Sequence, residues 1–187
     1  MSKTNSDIIL IGPVRTGKST LGKLLSETLG QPQVSLDKLR LNYYQQIGYN
    51  ETLAKSFRQS GGFLALFLYW NLFDSYAIER MLAEHHNCIF DFGAGNGITE
   101  SLESFDRLQR ALNPYPNIFL ILPSPDLEES LQILKNRDSN PPEDLNFDLN
   151  RYFLEHRAYY ILAKHSVFTK GKLPEETRDE ILNIVVK

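Results

Sequence analysis

Ile8-Ile9-Leu10-Ile11-Gly12-Pro13-Val14-Arg15-Thr16-Gly17-Lys18-Ser19-Thr20 is the stretch that decides the fold. Four apolar residues of strand length run into a loop that reads G-x-x-x-x-G-K-S. A helical pattern follows at once, with Leu21, Leu24, Leu25 and Leu29 on one face. The bare string fixes only four positions and arises by chance. A strand before it and a helix after it make it a P-loop, which binds a nucleoside triphosphate. Gly12 and Gly17 let the backbone curl until successive N–H groups point into one concavity that accepts phosphate oxygens. The helix starting near Gly17 adds its positive dipole end. Arg15 and Thr16 lie inside the loop, where Arg15 reaches either phosphate or water. Lys18 supplies a point charge for the outer phosphates, the Ser19 hydroxyl is a ligand for Mg²⁺, and Thr20 caps or packs.

Outward from the loop, strand-like runs alternate with helical ones. Strands are expected at Gln33–Leu36, Cys88–Phe92, Ile118–Leu122 and Val167–Thr169, besides Ile8–Ile11. Gly30 reads as the C-cap of the first helix. Helices are expected from Lys38 to near Gly48, from a Thr52 cap to about Ser60, and from Phe63 to about His85, with Gly61-Gly62 as a hinge. Further helices are expected over Ser101–Leu112, from a Ser124 cap with Pro125 at the first helical position, over Asn146–Lys164 and over Pro174–Val186. Residues 138–144, with Pro141-Pro142, read as a loop. Phe63–Trp70 is an unbroken run of eight apolar residues, either a core helix or the wall of an apolar pocket or dimer face. Five apolar strands separated by helices imply an α/β three-layer sandwich, a parallel sheet covered on both faces.

Composition narrows the class. A chain of 187 residues, 42% hydrophobic and 23% charged, suits one ordinary globular domain, here residues 1–187. The net charge of −3 gives no basic field for nucleic acid. Cys88 alone forms no internal disulfide, which fits a reducing, cytoplasmic setting. No run reaches transmembrane length. Monomer and homodimer both remain open.

In parallel sheets of this kind, ligands sit beyond the carboxyl ends of the strands. Asp37 follows the second strand; it either accepts a hydroxyl hydrogen bond and aims that oxygen at the terminal phosphate, or caps the next helix. Asp91 ends the run Cys-Ile-Phe-Asp, as an acid holding Mg²⁺ would, or begins a turn. Gly93, Ala94 and Gly95 allow a ligand close to the backbone, or simply turn the chain. Arg58 would pair with an anionic group on the acceptor, or face solvent. Arg137 closes a helix, where a cation suits the dipole and could neutralise phosphate charge under a mobile lid over 136–146.

These residues together resemble the shikimate kinase branch of the P-loop small-molecule kinases, over nearly the whole chain. The resemblance implies the nucleoside-monophosphate-kinase-like sheet order 2-3-1-4-5 and transfer of the terminal phosphoryl group of ATP, with Mg²⁺, to a hydroxyl of a small molecule. The family's acid pair after the second strand reads Ser35-Leu36-Asp37 here, so only the second acid remains. Its Phe-Arg pair looks like Phe57-Arg58, within an acceptor region of about 38–62. Its Gly-rich turn looks like Gly93-Ala94-Gly95, and its lid arginine like Arg137. An aromatic and alanine pattern looks like Tyr159 and Ala163, and the adenine-side loop like Thr169–Pro174, which includes Lys172. Glu155 stands where the family places a substrate-binding arginine; Arg151 and Arg157 are the nearest. The resemblance therefore carries the reaction class and not the acceptor. Two other readings are a nucleotide-gated regulatory protein without turnover, and a kinase of a nucleotide or polynucleotide.

Overall fold

The computed structural model describes residues 7–137 and 149–185. The predicted helix start at 146–148 and all but the first two residues of the predicted lid lie outside them. Five strands form one parallel sheet: β1 (Ile8–Ile11), β2 (Gln33–Ser35), β3 (Ile89–Asp91), β4 (Ile118–Leu122) and β5 (His165–Phe168), in the order β2-β3-β1-β4-β5. This is the expected order. Ile8 and Leu10 face one layer and Ile9 and Ile11 the other, and all four are buried. A strand apolar on both faces is what a sheet covered on both sides requires.

The layer beneath Ile8 and Leu10 contains α1 (Lys18–Leu29) and α8 (Pro174–Ile184), packed through Leu21, Leu25 and Ile181. Leu29, expected on that apolar face, is instead exposed at the helix end. The opposite layer holds α2 (Leu36–Gln46), α3 (Glu51–Glu84), α4 (Leu102–Leu112), α5 (Leu127–Asn136), α6 (Leu149–Glu155) and α7 (Arg157–Leu162). Within α3 the backbone leaves helical geometry at Gly61 and Gly62, with Gly62 at φ 64° and ψ −157°. The hinge read from the sequence is therefore a kink between two helical halves. Beyond it, α3 buries Phe67, Phe73, Ile78 and Met81 in the core, while Phe63, Leu66 and Trp70 of the apolar run also wall cavities, so the core and pocket-wall readings both hold in part. No described helix is long and apolar enough to cross a membrane.

Several expected boundaries shift, each for a local reason. The cap of α3 is Asn50, whose side chain accepts from the Leu53 amide at 2.9 Å; Thr52 already lies within the helix. Asp126, not Ser124, caps α5, accepting from the Glu129 amide at 2.7 Å. Ser124 instead donates to Glu129 Oε2 at 2.5 Å and accepts from the Asp126 amide at 3.1 Å. The single helix expected over Asn146–Lys164 is two, interrupted at His156, whose Nδ1 accepts from the Ala158 amide at 3.2 Å. The side chain has taken over as an N-cap, so the chain restarts rather than continues.

Candidate active site

The carboxyl ends of β1, β2 and β3 converge on the P-loop. Register places Ser35 beside Asp91 and Asp91 beside Leu10, so the last residue of β3 lies against the loop that β1 feeds. Gly12 has φ 143°, and a Cβ there would lie 2.6 Å from the Ile121 carbonyl oxygen, so this turn against β4 admits only glycine. Gly17 is the N-cap of α1 and carries no side chain to occupy the helix's first amides. Those donors are left for a ligand. Thr16 donates to the Pro13 carbonyl at 3.2 Å and holds the curl closed.

Lys18 is 7% exposed and donates to the carbonyls of Gly12 and Pro13 at 2.8 and 2.7 Å. Burial pulls its ammonium down to about 8, against the opposing pull of Asp91 and Asp37. The Ser19 hydroxyl hydrogen-bonds the Asp91 carboxylate, to which Gln33 Nε2 also donates at 3.4 Å. Burial pushes the Asp91 carboxyl above its usual range, with Ser19, Lys18 and Gln33 acting the other way. A hydroxyl and a carboxylate oxygen brought together beside the P-loop are the hard oxygen donors that Mg²⁺ takes, so these residues fit the ion. Asp91 is buried at the end of its strand and is not a turn residue.

Asp37 lies in the first turn of α2, and the cap position belongs to Ser35. The capping role therefore does not account for Asp37. Its half-exposed carboxylate lies where a Cβ on Gly93 would be, with Asp37 Cγ 2.6 Å from that point. The Gly-rich turn is thus needed for the acid to reach its place. Asp37 opens on a cavity of about 230 Å³ bounded also by Val14, Arg40, Trp70, Asp74 and Ala94.

Across the P-loop lies a second cavity, of about 250 Å³, lined by Arg15, Thr16, Gly17, Thr20, Arg137 and Lys172 among others. Six of the nine expected nucleotide residues therefore line one cavity. Arg137 Nη1 donates to the Arg15 carbonyl at 3.2 Å, and Lys172 pairs with Glu180 at 2.5 Å. Tyr159 is buried between the turns after β1 and β3: its hydroxyl donates to the Gly12 carbonyl at 3.2 Å and accepts from the Gly95 amide at 2.8 Å.

Arg58 does not join Asp37. It lies over the Phe63 ring at 5.1 Å and lines a neighbouring cavity of about 440 Å³ with Lys55, Glu51, Tyr49 and Trp70. The arginine on the Asp37 cavity is Arg40, 3.5 Å from Asp37 and 4.0 Å over the Trp70 ring. Sequence reading also missed Asp74, which accepts from the Tyr44 hydroxyl and from Asn96 Nδ2 at 2.9 Å. Burial pushes Asp74 up to about 6, moderated by Tyr44, Arg40 and Asn96. One signal was available: Asp74 falls four positions after Trp70 and seven after Phe67, an acid on the buried stripe of a helix.

No protein-family model matches the chain. The chain is similar to the shikimate kinase of Persephonella marina, 27% identical over 179 residues that span 94% of this chain and 96% of that one. Among solved structures it resembles the shikimate kinase from Acinetobacter baumannii in complex with shikimate, with a TM-score of 0.63, 20% identity, and coverage of 97% of this chain and 93% of that one. It also resembles the gluconokinase from Sinorhizobium meliloti, with a TM-score of 0.56, 14% identity and coverage of 96% and 90%. At these identities the structural likeness is one of fold. The resemblance read from the motifs is borne out, since the relative and these structures are small-molecule kinases on the P-loop fold.

Proposed function

We propose that this chain transfers the terminal phosphoryl group of ATP to a hydroxyl of a small molecule. The observation that carries the reading is the convergence of Lys18, the Ser19–Asp91 pair and Asp37 at the strand ends beside one P-loop. ATP occupies the cavity bounded by Arg15, Thr20, Arg137 and Lys172, with its phosphates in the curl of amides from Gly12 to Ser19. Ser19 and Asp91 hold Mg²⁺, which neutralises charge on the phosphates. Lys18 leaves the carbonyls of Gly12 and Pro13 for the outer phosphates. Asp37 accepts the hydrogen bond of the acceptor hydroxyl and aims its oxygen at the terminal phosphorus. Arg137, tethered to the Arg15 carbonyl, adds positive charge near the transferring group. The acceptor region includes residues 38–62 and extends along α3 to Asp74.

Asp91 stands in register with Ser35 and supplies the acid that the D-x-D pattern lacks there. This favours a working kinase over a nucleotide-gated regulator. The test measures ADP release from magnesium and ATP with and without a panel of hydroxylated metabolites. Acceptor-dependent release is expected. Tight ATP binding with no release under any acceptor would instead establish the regulator.

A further inference from the structure

The cavity next to Asp37 has a charge and donor pattern of its own. Among the described residues its ionisable groups are Asp37, Arg40 and Asp74. Arg40 lies 3.5 Å from Asp37 and is stacked 4.0 Å over Trp70, so one guanidinium faces two acids. Asp74 Oδ1 accepts from Tyr44 and Asn96, and Oδ2 accepts at 3.2 Å from the Asn71 amide when its nitrogen faces the acid. A carboxylate has about four acceptor sites, so these three bonds leave one for a further donor. Asn96 Oδ1, buried in the same cluster, has no hydrogen-bond partner among the described residues. The unfilled position on the cavity wall, that of Asp74, is an acceptor; Asn96 lies behind the wall. The remaining described walls are apolar: the aromatic Phe63, Phe67 and Trp70, with Val14 and Ala94.

A carboxylate brought here would be a third acid set against Arg40, the one guanidinium on the described walls. Glu155, at the family's substrate-arginine position, is paired with Arg151 at 3.2 Å. Arg58 opens on the neighbouring cavity.

We propose that the acceptor is a hydroxylated compound without a carboxylate, turning an O–H or N–H⁺ donor edge to Asp74 and an apolar face to Phe63, Phe67 and Trp70. This rests on the kinase reading above and narrows its substrate class. Neutral polyols and hydroxylated amines share the required donor edge. Aromatic faces suit the C–H surface of the one and the cation of the other.

The test uses the full chain and matched acceptors with one carbon frame and three end groups, such as glucitol, glucamine and gluconate, extended to other hydroxylated frames. ADP release is expected with the CH₂OH or CH₂NH₃⁺ members, at kcat/KM roughly tenfold or more above the carboxylate member, because like charges placed together are disfavoured. The ratio between the first two tells polyol from amine. Turnover confined to the carboxylate members, and lost in Arg58→Ala, overturns this inference and leaves the kinase reading standing. ATP hydrolysis that is identical across all members and without acceptor overturns both. In Asp74→Asn, KM for the preferred acceptor is expected to rise about tenfold with kcat little changed, and the preference among end groups to narrow. A folded Asp74→Asn protein with unchanged preference would remove Asp74 as the recognising group. If that variant fails to fold, the end-group series on the unaltered chain still decides.

Discussion

At the scale of single residues, Lys18 and Asp37 beside the P-loop make separable predictions. Asp37→Asn keeps the shape against Gly93 and loses the negative charge proposed to orient or take the hydroxyl proton. Transfer is expected to fall by about 10²- to 10⁴-fold, with ATP affinity by calorimetry nearly unchanged. Unaltered turnover in that variant would strip Asp37 of its role. Lys18 gives a pH signature. Burial sets its ammonium at about 8 in the folded chain, against an ordinary 10.5, so between these values the folded state binds fewer protons than the unfolded one. The burial penalty is therefore present below pH 8 and is relieved as pH rises from there to 10.5. Bound phosphates favour the charged lysine, so nucleotide binding takes up a proton in the same window. ATP affinity is expected to weaken above pH 8, by at most tenfold per pH unit, and Lys18→Met to flatten that dependence. Calorimetry in buffers of different ionisation enthalpy reads the proton directly. Lys18 and Asp37 were both legible, because a phosphate loop and a strand end impose fixed spacings. Arg40 and Asp74 were not, because their partners Trp70, Tyr44 and Asn96 are joined to them only by folding.

At the scale of elements, continuous apolar strands between glycine and proline punctuation made the sheet readable, and β1 and β4 fall where expected. The helix ends were harder. Ser124 and Asp126 are both good caps two residues apart, and only the backbone decides between them. The break at His156 carries neither glycine nor proline and left no mark in the pattern. The kink of α3 was legible from Gly61-Gly62, and its first half hangs on the Asn50 cap. Asn50→Ala is expected to cost about 1 kcal/mol in chemical denaturation. Asn50 also donates its backbone amide to the Tyr69 hydroxyl at 3.0 Å, which the substitution keeps. A loss much above this would mean that the Asn50 side chain has a further role in docking the first half of α3 onto the second.

At the scale of the whole molecule, Tyr159 ties the turn after β1 to the turn after β3. Tyr159→Phe leaves the buried Gly95 amide without its acceptor and is expected to destabilise the chain by about 1–3 kcal/mol, read as a lower denaturation midpoint. Because Gly12 opens the proposed phosphate loop and Gly95 follows Ala94 on the Asp37 cavity, KM for nucleotide and for acceptor should both rise; a change in one alone would confine the tyrosine to that side. The P-loop itself is a party wall: Val14 faces one cavity and Arg15 the other. Two guests entering by separate doors need not wait for one another, and neither has to hand its cargo to the host in between. Initial-velocity lines at varied ATP and acceptor should therefore cross, whereas parallel lines would reveal a phosphorylated protein as courier.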